Sequence, residues 1–178
     1  GRLGGLDDAQ GYGAFSGSEG MAILSKLPLI TAGVRDFSGL LWVDLPNARL
    51  PVKDGQPFPS VQAQQVQRLS YKGHWDVPVR LAEDRVIHLL ASHAAPPYFD
   101  RTVKRNELRN TDEIRFWLLY LDGASLAGYA PRADEPFVLL GDLNADPNDG
   151  AGDHKAIRAL LQHRLINDVQ PSSLGAAL

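Results

Sequence analysis

Pro136-Phe137-Val138-Leu139-Leu140, running straight into Gly141-Asp142-Leu143-Asn144-Ala145-Asp146-Pro147, is the stretch whose reading decides the fold. Four apolar residues in a row after a proline are the pattern of a strand covered on both faces, because a strand with one wet face alternates apolar with polar. Polar residues placed where such a strand ends project from a rigid edge into the crevice where α/β sheets bind ligands. An ionised Asp142 there can ligate a hard cation or take a proton from water, and Asn144, two residues on, points to the same side of an extended backbone. The plainer alternative is a strand followed by a turn, since Asp, Asn and Gly favour turns unaided.

Upstream, Val77-Pro78-Val79-Arg80-Leu81 alternates as a half-buried strand does, and Ala82-Glu83-Asp84-Arg85 turns the chain into Val86-Ile87-His88-Leu89-Leu90-Ala91. The pair predicts a hairpin. It ends at Ser92-His93-Ala94-Ala95-Pro96, so His93 also sits at a strand terminus, where it can hydrogen-bond a phosphoryl oxygen or move a proton. A lone histidine in such a place is more often structural, and His74 and His88 are assigned to packing or surface.

Ile114, Trp117, Leu118 and Leu121 fall at i, i+3, i+4 and i+7, which predicts a helix from Asn110 to about Leu126, with Asn110 and Glu113 as a capping box. Ala156, Ile157, Leu160 and Leu161 mark a second amphipathic helix. Shorter apolar runs, Met21–Ser25 and Leu40–Leu45, read as strands, and the segment holding Pro46, Pro51, Pro57 and Pro59 reads as surface loop. Strands mixed with helices make this an α/β layered domain.

Apolar residues form 44% and charged residues 22% of the 178, an ordinary globular balance that fits one domain and gives no case for disorder. A formal charge of −3 predicts no general attraction to nucleic acid or anionic membrane, so any phosphate binding is local. With no cysteine, thiol nucleophiles, disulfides and zinc-thiolate sites are excluded. No apolar run reaches the roughly 18 residues of a spanning helix. Either a cytoplasmic or an extracytoplasmic parent is compatible, and the oligomeric state is left open. A chain opening without Met in the glycine-rich stretch of residues 1–20 reads as a piece of a longer protein.

Together the segments resemble the endonuclease/exonuclease/phosphatase superfamily. Gly20-Met21-Ala22-Ile23-Leu24-Ser25-Lys26-Leu27-Pro28 is similar to its G-x-A-I-L-S-[KR]-x-P strand, Ser92-His93 to its T-H strand end, and Gly141-Asp142-Leu143-Asn144 to its G-D-[FL]-N signature. They occur in family order and spacing over residues 20–167. The resemblance implies part of a four-layered α/β sandwich, two packed mixed β-sheets flanked by helices, with an active site at one end. It implies that Asp142 orients or deprotonates an attacking water, that Asn144 contacts the scissile phosphate or positions the water, and that His93 hydrogen-bonds a phosphoryl oxygen. It also implies magnesium, or manganese in its place, with Asp142 and Asn144 as a partial metal site.

Two family motifs have no match. The metal-binding Glu belongs upstream of the G-x-A-I-L-S strand, where only Asp7, Asp8 and Glu19 stand in glycine-rich sequence, and the closing S-D-H motif is not found before Leu178. One incomplete domain over 1–178, with little activity in isolation, is therefore the expectation. Asp100 through Arg115, with Arg101, Lys104, Arg105, Arg109 and Arg115, enters a helix N-terminus, and Arg109 and Asn110 are candidate substrate contacts, against the alternative of a solvated charged loop. Asp142-x-Asn144-x-Asp146 only superficially resembles an EF-hand loop, having Pro147 where the turn glycine belongs, and Gly150-Ala151-Gly152 is too sparse for a dinucleotide loop. The expected substrate is a phosphorylated compound of open class, whether nucleic acid, phospholipid or inositol or sugar phosphate. The competing function is a non-catalytic binding or scaffold domain of the same fold.

Overall fold

The computed structural model describes residues 19–100, 102–132, 134–167 and 175. In chain order its strands and α-helices are β1 (Arg35–Asp36), β2 (Val52–Lys53), β3 (Gln56–Pro57), α1 (Val61–Gln64), β4 (His74–Ala82), β5 (Arg85–His93), α2 (Arg105–Leu121), β6 (Phe137–Asp142) and α3 (His154–Leu161). The main sheet has the order β1-β4-β5-β6. β4 and β5 form the expected antiparallel hairpin, and β6 lies parallel to β5. A parallel neighbour requires a long crossover, which α2 supplies.

The α/β class read from the sequence holds. Helices α2 and α3 pack on one face of the sheet, where Phe37, Trp42, Leu90, Ile114, Phe116, Trp117, Ile157 and Leu160 form the core. Phe37 meets Phe116, Tyr120 and Tyr129 edge to face at about 5 Å, the arrangement that the ring quadrupoles favour. Trp117 Nε1 donates to Ser92 Oγ at 2.8 Å, which satisfies both buried groups where helix meets strand.

Several local expectations change. Among the described residues Met21–Ser25 joins no ladder, and Leu24 is 96% exposed, so this apolar run does not form the expected strand there. Backbone pairing begins later, at the bridge of Leu29 with Val79. Leu40–Leu45 is not a strand either: Trp42–Asp44 is a turn of 3-10 helix, which sends Leu40, Trp42 and Leu45 into one core instead of to alternate faces. Within the proline-rich segment, β2 and β3 make a two-residue hairpin around Asp54 and Gly55, both at positive φ as such a tight turn demands.

Helix α2 starts at Arg105, before the expected Asn110. Lys104 takes the N-cap position without a side-chain cap, while the Asp100 carboxylate accepts the N–H groups of Thr102, Val103 and Arg105. Asn110 is thus an interior helix residue and not a cap. β6 also departs from the doubly covered strand: Phe137 and Leu139 pack on the core, whereas Val138 and Leu140 are 44% and 38% exposed.

Candidate functional site

The parallel register of β5 and β6 decides the geometry of the site. It sets Leu90 opposite Leu139 and Ser92 opposite Gly141 on the helix side, so Ala91 with Leu140 and His93 with Asp142 share the other face. His93 and Asp142 are therefore neighbours at the ends of their strands, with Nε2 and Oδ2 3.8 Å apart. Both side chains are accessible, at 37% and 59% exposure. Gly141 allows this closeness, since it sits at φ +130° and a Cβ there would lie 1.9 Å from the Ser92 carbonyl oxygen. No L side chain fits.

Asn144 is not in extended backbone. It takes φ 47°, and its N–H donates to Asp142 Oδ1 at 2.8 Å, so the turn reading and the site reading of this motif both hold. Its Nδ2 donates to the Ala94 carbonyl at 2.9 Å, and the Ala94 N–H donates to the Asp142 carbonyl at 2.9 Å. The two loops that leave the strands are thereby stitched together beyond His93 and Asp142.

Tyr71, Lys72 and Glu19 complete the surroundings of His93. The Tyr71 ring lies 6.0 Å from the His93 ring, and the Lys72 ammonium sits 4.6 Å over the Tyr71 face, a cation–π contact. Lys72 pairs with Glu19 at 2.8 Å, and its hydrogen bond and charge hold the Glu19 carboxyl below its ordinary range, with His93 adding to the effect. The sequence singled out Glu19 alone of the three, because Tyr71 and Lys72 belong to no motif and reach His93 only through the path of the chain into β4.

The two candidate substrate contacts from α2 face inward. Arg109 donates to the carbonyls of Arg68, Leu69 and Ser70 at 2.8–3.0 Å, and Asn110, 1% exposed, donates through Nδ2 to the carbonyls of Ala95 and Leu143 at 2.8 and 2.9 Å. As placed, Asn110 is shut off from a substrate. Glu113, one helical turn on and fully buried, accepts the N–H groups of Tyr71 at 2.5 Å and Ala95 at 2.6 Å. Burial pushes its carboxyl up to about 7, against the opposing pull of Arg109 and the two N–H donors.

The other histidines lie apart from this cluster. His74 is buried as expected, with Nδ1 2.7 Å from Ser70 Oγ and Nε2 3.1 Å from the Glu113 carbonyl, and burial lowers it to about 4. His88 exceeds the packing role assigned to it: it bridges Asp76 at 2.5 Å and Glu135 at 2.7 Å, and Asp76, hydrogen-bonded to it, holds it protonated above its ordinary range. Asp146 accepts the N–H groups of Asn148 and Asp149, and Asp153 caps α3, which are turn and cap duties and not those of an EF-hand. Asp7, Asp8 and Arg101 lie outside the described residues.

Asp142 and Asn144 offer hard oxygen donors of the type magnesium takes. No group of three or more His, Asp or Glu able to hold a metal forms among the described residues, so they fit such an ion as part of a site. A polar cluster at the carboxyl ends of two parallel strands, histidine beside carboxylate and free of cysteine, defines a class of α/β site suited to water-based chemistry on an oxyanion. The Endonuclease/Exonuclease/phosphatase family model matches residues 2–176, and the chain belongs to that family. No curated protein and no solved structure matches the chain. That family is one of phosphoesterase and nuclease type.

Proposed function

We propose that the chain carries the middle part of a phosphoester-hydrolase site, in which Asp142, His93 and Asn144 manage an attacking water and the phosphoryl group. The observation that carries this is the register of β5 and β6, which puts His93 and Asp142 side by side on an accessible face, 3.8 Å apart. The Asp142 carboxylate orients the water or accepts its proton. The His93 imidazole hydrogen-bonds a phosphoryl oxygen, and the Asn144 amide contacts the phosphate from the turn that follows β6. Water attacks directly, and no residue here is required as a covalent nucleophile.

Magnesium, or manganese in its place, held by Asp142 and Asn144 with ligands from elsewhere in the protein, would supply Lewis-acid neutralisation of phosphoryl charge. A net charge of −3 favours small phosphorylated compounds over long duplexes, whose backbone is usually tracked by basic surface.

The test is hydrolysis of bis-p-nitrophenyl phosphate and p-nitrophenyl phosphate by the full-length protein, with magnesium or manganese, beside its Asp142→Asn variant. A loss of kcat of at least about 100-fold is expected, with unfolding temperature unchanged because Asp142 is 59% exposed and no core group. Equal rates for the two proteins would refute the assignment. A folded full-length protein inert on these esters and on nucleotide and inositol phosphates would instead mark a scaffold of the same fold.

A further inference from the structure

One face of α2 grips the loops that carry the candidate site. Asn110 and Glu113 stand one turn apart on that face, as i and i+3 positions do. Between them they hold residue 95 by both of its polar main-chain groups: Glu113 accepts its N–H at 2.6 Å and Asn110 donates to its carbonyl at 2.8 Å. The second Nδ2 proton of Asn110 goes to the Leu143 carbonyl, one residue past Asp142, and the second Glu113 oxygen takes the N–H of Tyr71, the ring beside His93. A buried polar side chain costs stability unless its partners are in place, so each contact is specific to this arrangement of loops.

The consequence is geometric. Ala95 lies two residues beyond His93 and Leu143 one residue beyond Asp142, so a single amide ties the exits of both strands. Remove it, and beyond the β5–β6 ladder itself the exits are joined by the Ala94–Asp142 and Asn144–Ala94 hydrogen bonds.

We infer that Asn110 and Glu113 are positioning residues, which set the separation of His93 and Asp142 by clamping residues 95, 143 and 71 to α2. The kinetic part of this inference rests on the hydrolase reading above; the geometric part does not. Misplacing reacting groups by about 1 Å costs about 100-fold in rate.

The experiment compares the full-length protein with Asn110→Asp, which keeps the shape but removes both donors, and Glu113→Gln, which can accept only one of the two N–H groups. Leu126→Ala, a buried residue past the far end of α2, serves as a control for lost stability alone. On bis-p-nitrophenyl phosphate, kcat should fall about 100-fold in Asn110→Asp and about 10-fold in Glu113→Gln, with KM within about threefold, while Leu126→Ala keeps its kcat. Variants that lose unfolding temperature as the control does, yet keep kcat, would overturn the inference.

Crystal structures of the native protein and of whichever variant folds provide a readout independent of activity. The His93 Nε2 to Asp142 Oδ2 distance, 3.8 Å here, should widen by about 1 Å in the variant. An unchanged distance overturns the clamp whatever the kinetics. A widened distance in a protein that hydrolyses nothing upholds the clamp and removes the hydrolase reading.

Discussion

Gly141 links a sequence motif to a physical necessity. At φ +130°, with a Cβ position 1.9 Å from the Ser92 carbonyl oxygen, an added methyl group must push β6 off β5 or rotate the peptide. Because Gly141 directly precedes Asp142, either movement displaces the carboxylate. Gly141→Ala is therefore expected to lower stability by at least about 2 kcal/mol, measured by urea unfolding, and to disturb the β5–β6 ladder. A loss below about 0.5 kcal/mol would show that the strand pair relaxes around the methyl group. At this scale the sequence was informative: Gly141, Asp142, Asn144 and His93 lie at strand ends that hydrophobic patterning can find. Sequence puts Asn144 in the right loop but not in its left-handed backbone, since Asp-x-Asn suits an Asx turn and a continuing strand end alike. Tyr71 and Lys72 left no local trace, as their place beside His93 depends on long-range contacts.

Helix α2 was legible through its apolar stripe and misjudged through its polar one. Asn110, Thr111, Asp112 and Glu113 read as the mouth of a helix, because exposed polar residues are what a helix start usually has. All four are buried. Thr111 donates to the Glu107 carbonyl within the helix, but the other three reach groups distant in sequence: Asp112 accepts the Trp42 indole Nε1–H at 2.7 Å and the Arg49 N–H at 2.6 Å, just as Glu113 holds Tyr71 and Ala95 and Asn110 holds Ala95 and Leu143. Periodicity records which side chains are apolar, and it carries nothing about a buried carboxylate whose donors arrive from elsewhere.

Burying Glu113 beside His74 gives the element a pH signature. Glu113 moves from 4.5 up to about 7, so between those values the folded state binds more protons than the unfolded chain, and stability falls as pH rises. His74 moves from 6.5 down to about 4, so in that window the unfolded chain binds more protons, and stability rises with pH. From pH 4.5 to 6.5 the two slopes oppose each other. Glu113→Gln removes the falling one, so its stability relative to the native protein should climb between pH 4.5 and 7, by on the order of 3 kcal/mol at most. Urea midpoints taken at intervals across that range measure the difference. Parallel curves would mean that Glu113 titrates alike in the folded and unfolded chain.

At the scale of the whole molecule, one face of the sheet is covered by helices α2 and α3. Leu90 and Leu139 point into the helix-covered core, while Val138 and Leu140, alternate residues of β6, point away from it. The run Phe137–Leu140 looked doubly covered because continuous apolar sequence suits a strand with helices or sheet on both sides. Among the described residues a helix layer covers only one face, and His93 and Asp142 lie at the end of the other. Two truncations separate the faces. Leu90→Ala empties a site of 0% exposure and is expected to cost about 2–5 kcal/mol, because the surrounding core cannot collapse fully into the space. Leu140→Ala, at 38% exposure, removes fewer packing contacts and should cost less than about 1 kcal/mol if water meets this face in solution. Equal costs in the two variants, measured on the full-length protein, would mean that Leu140 is buried there against further chain, and that the site at the end of that face has a second wall.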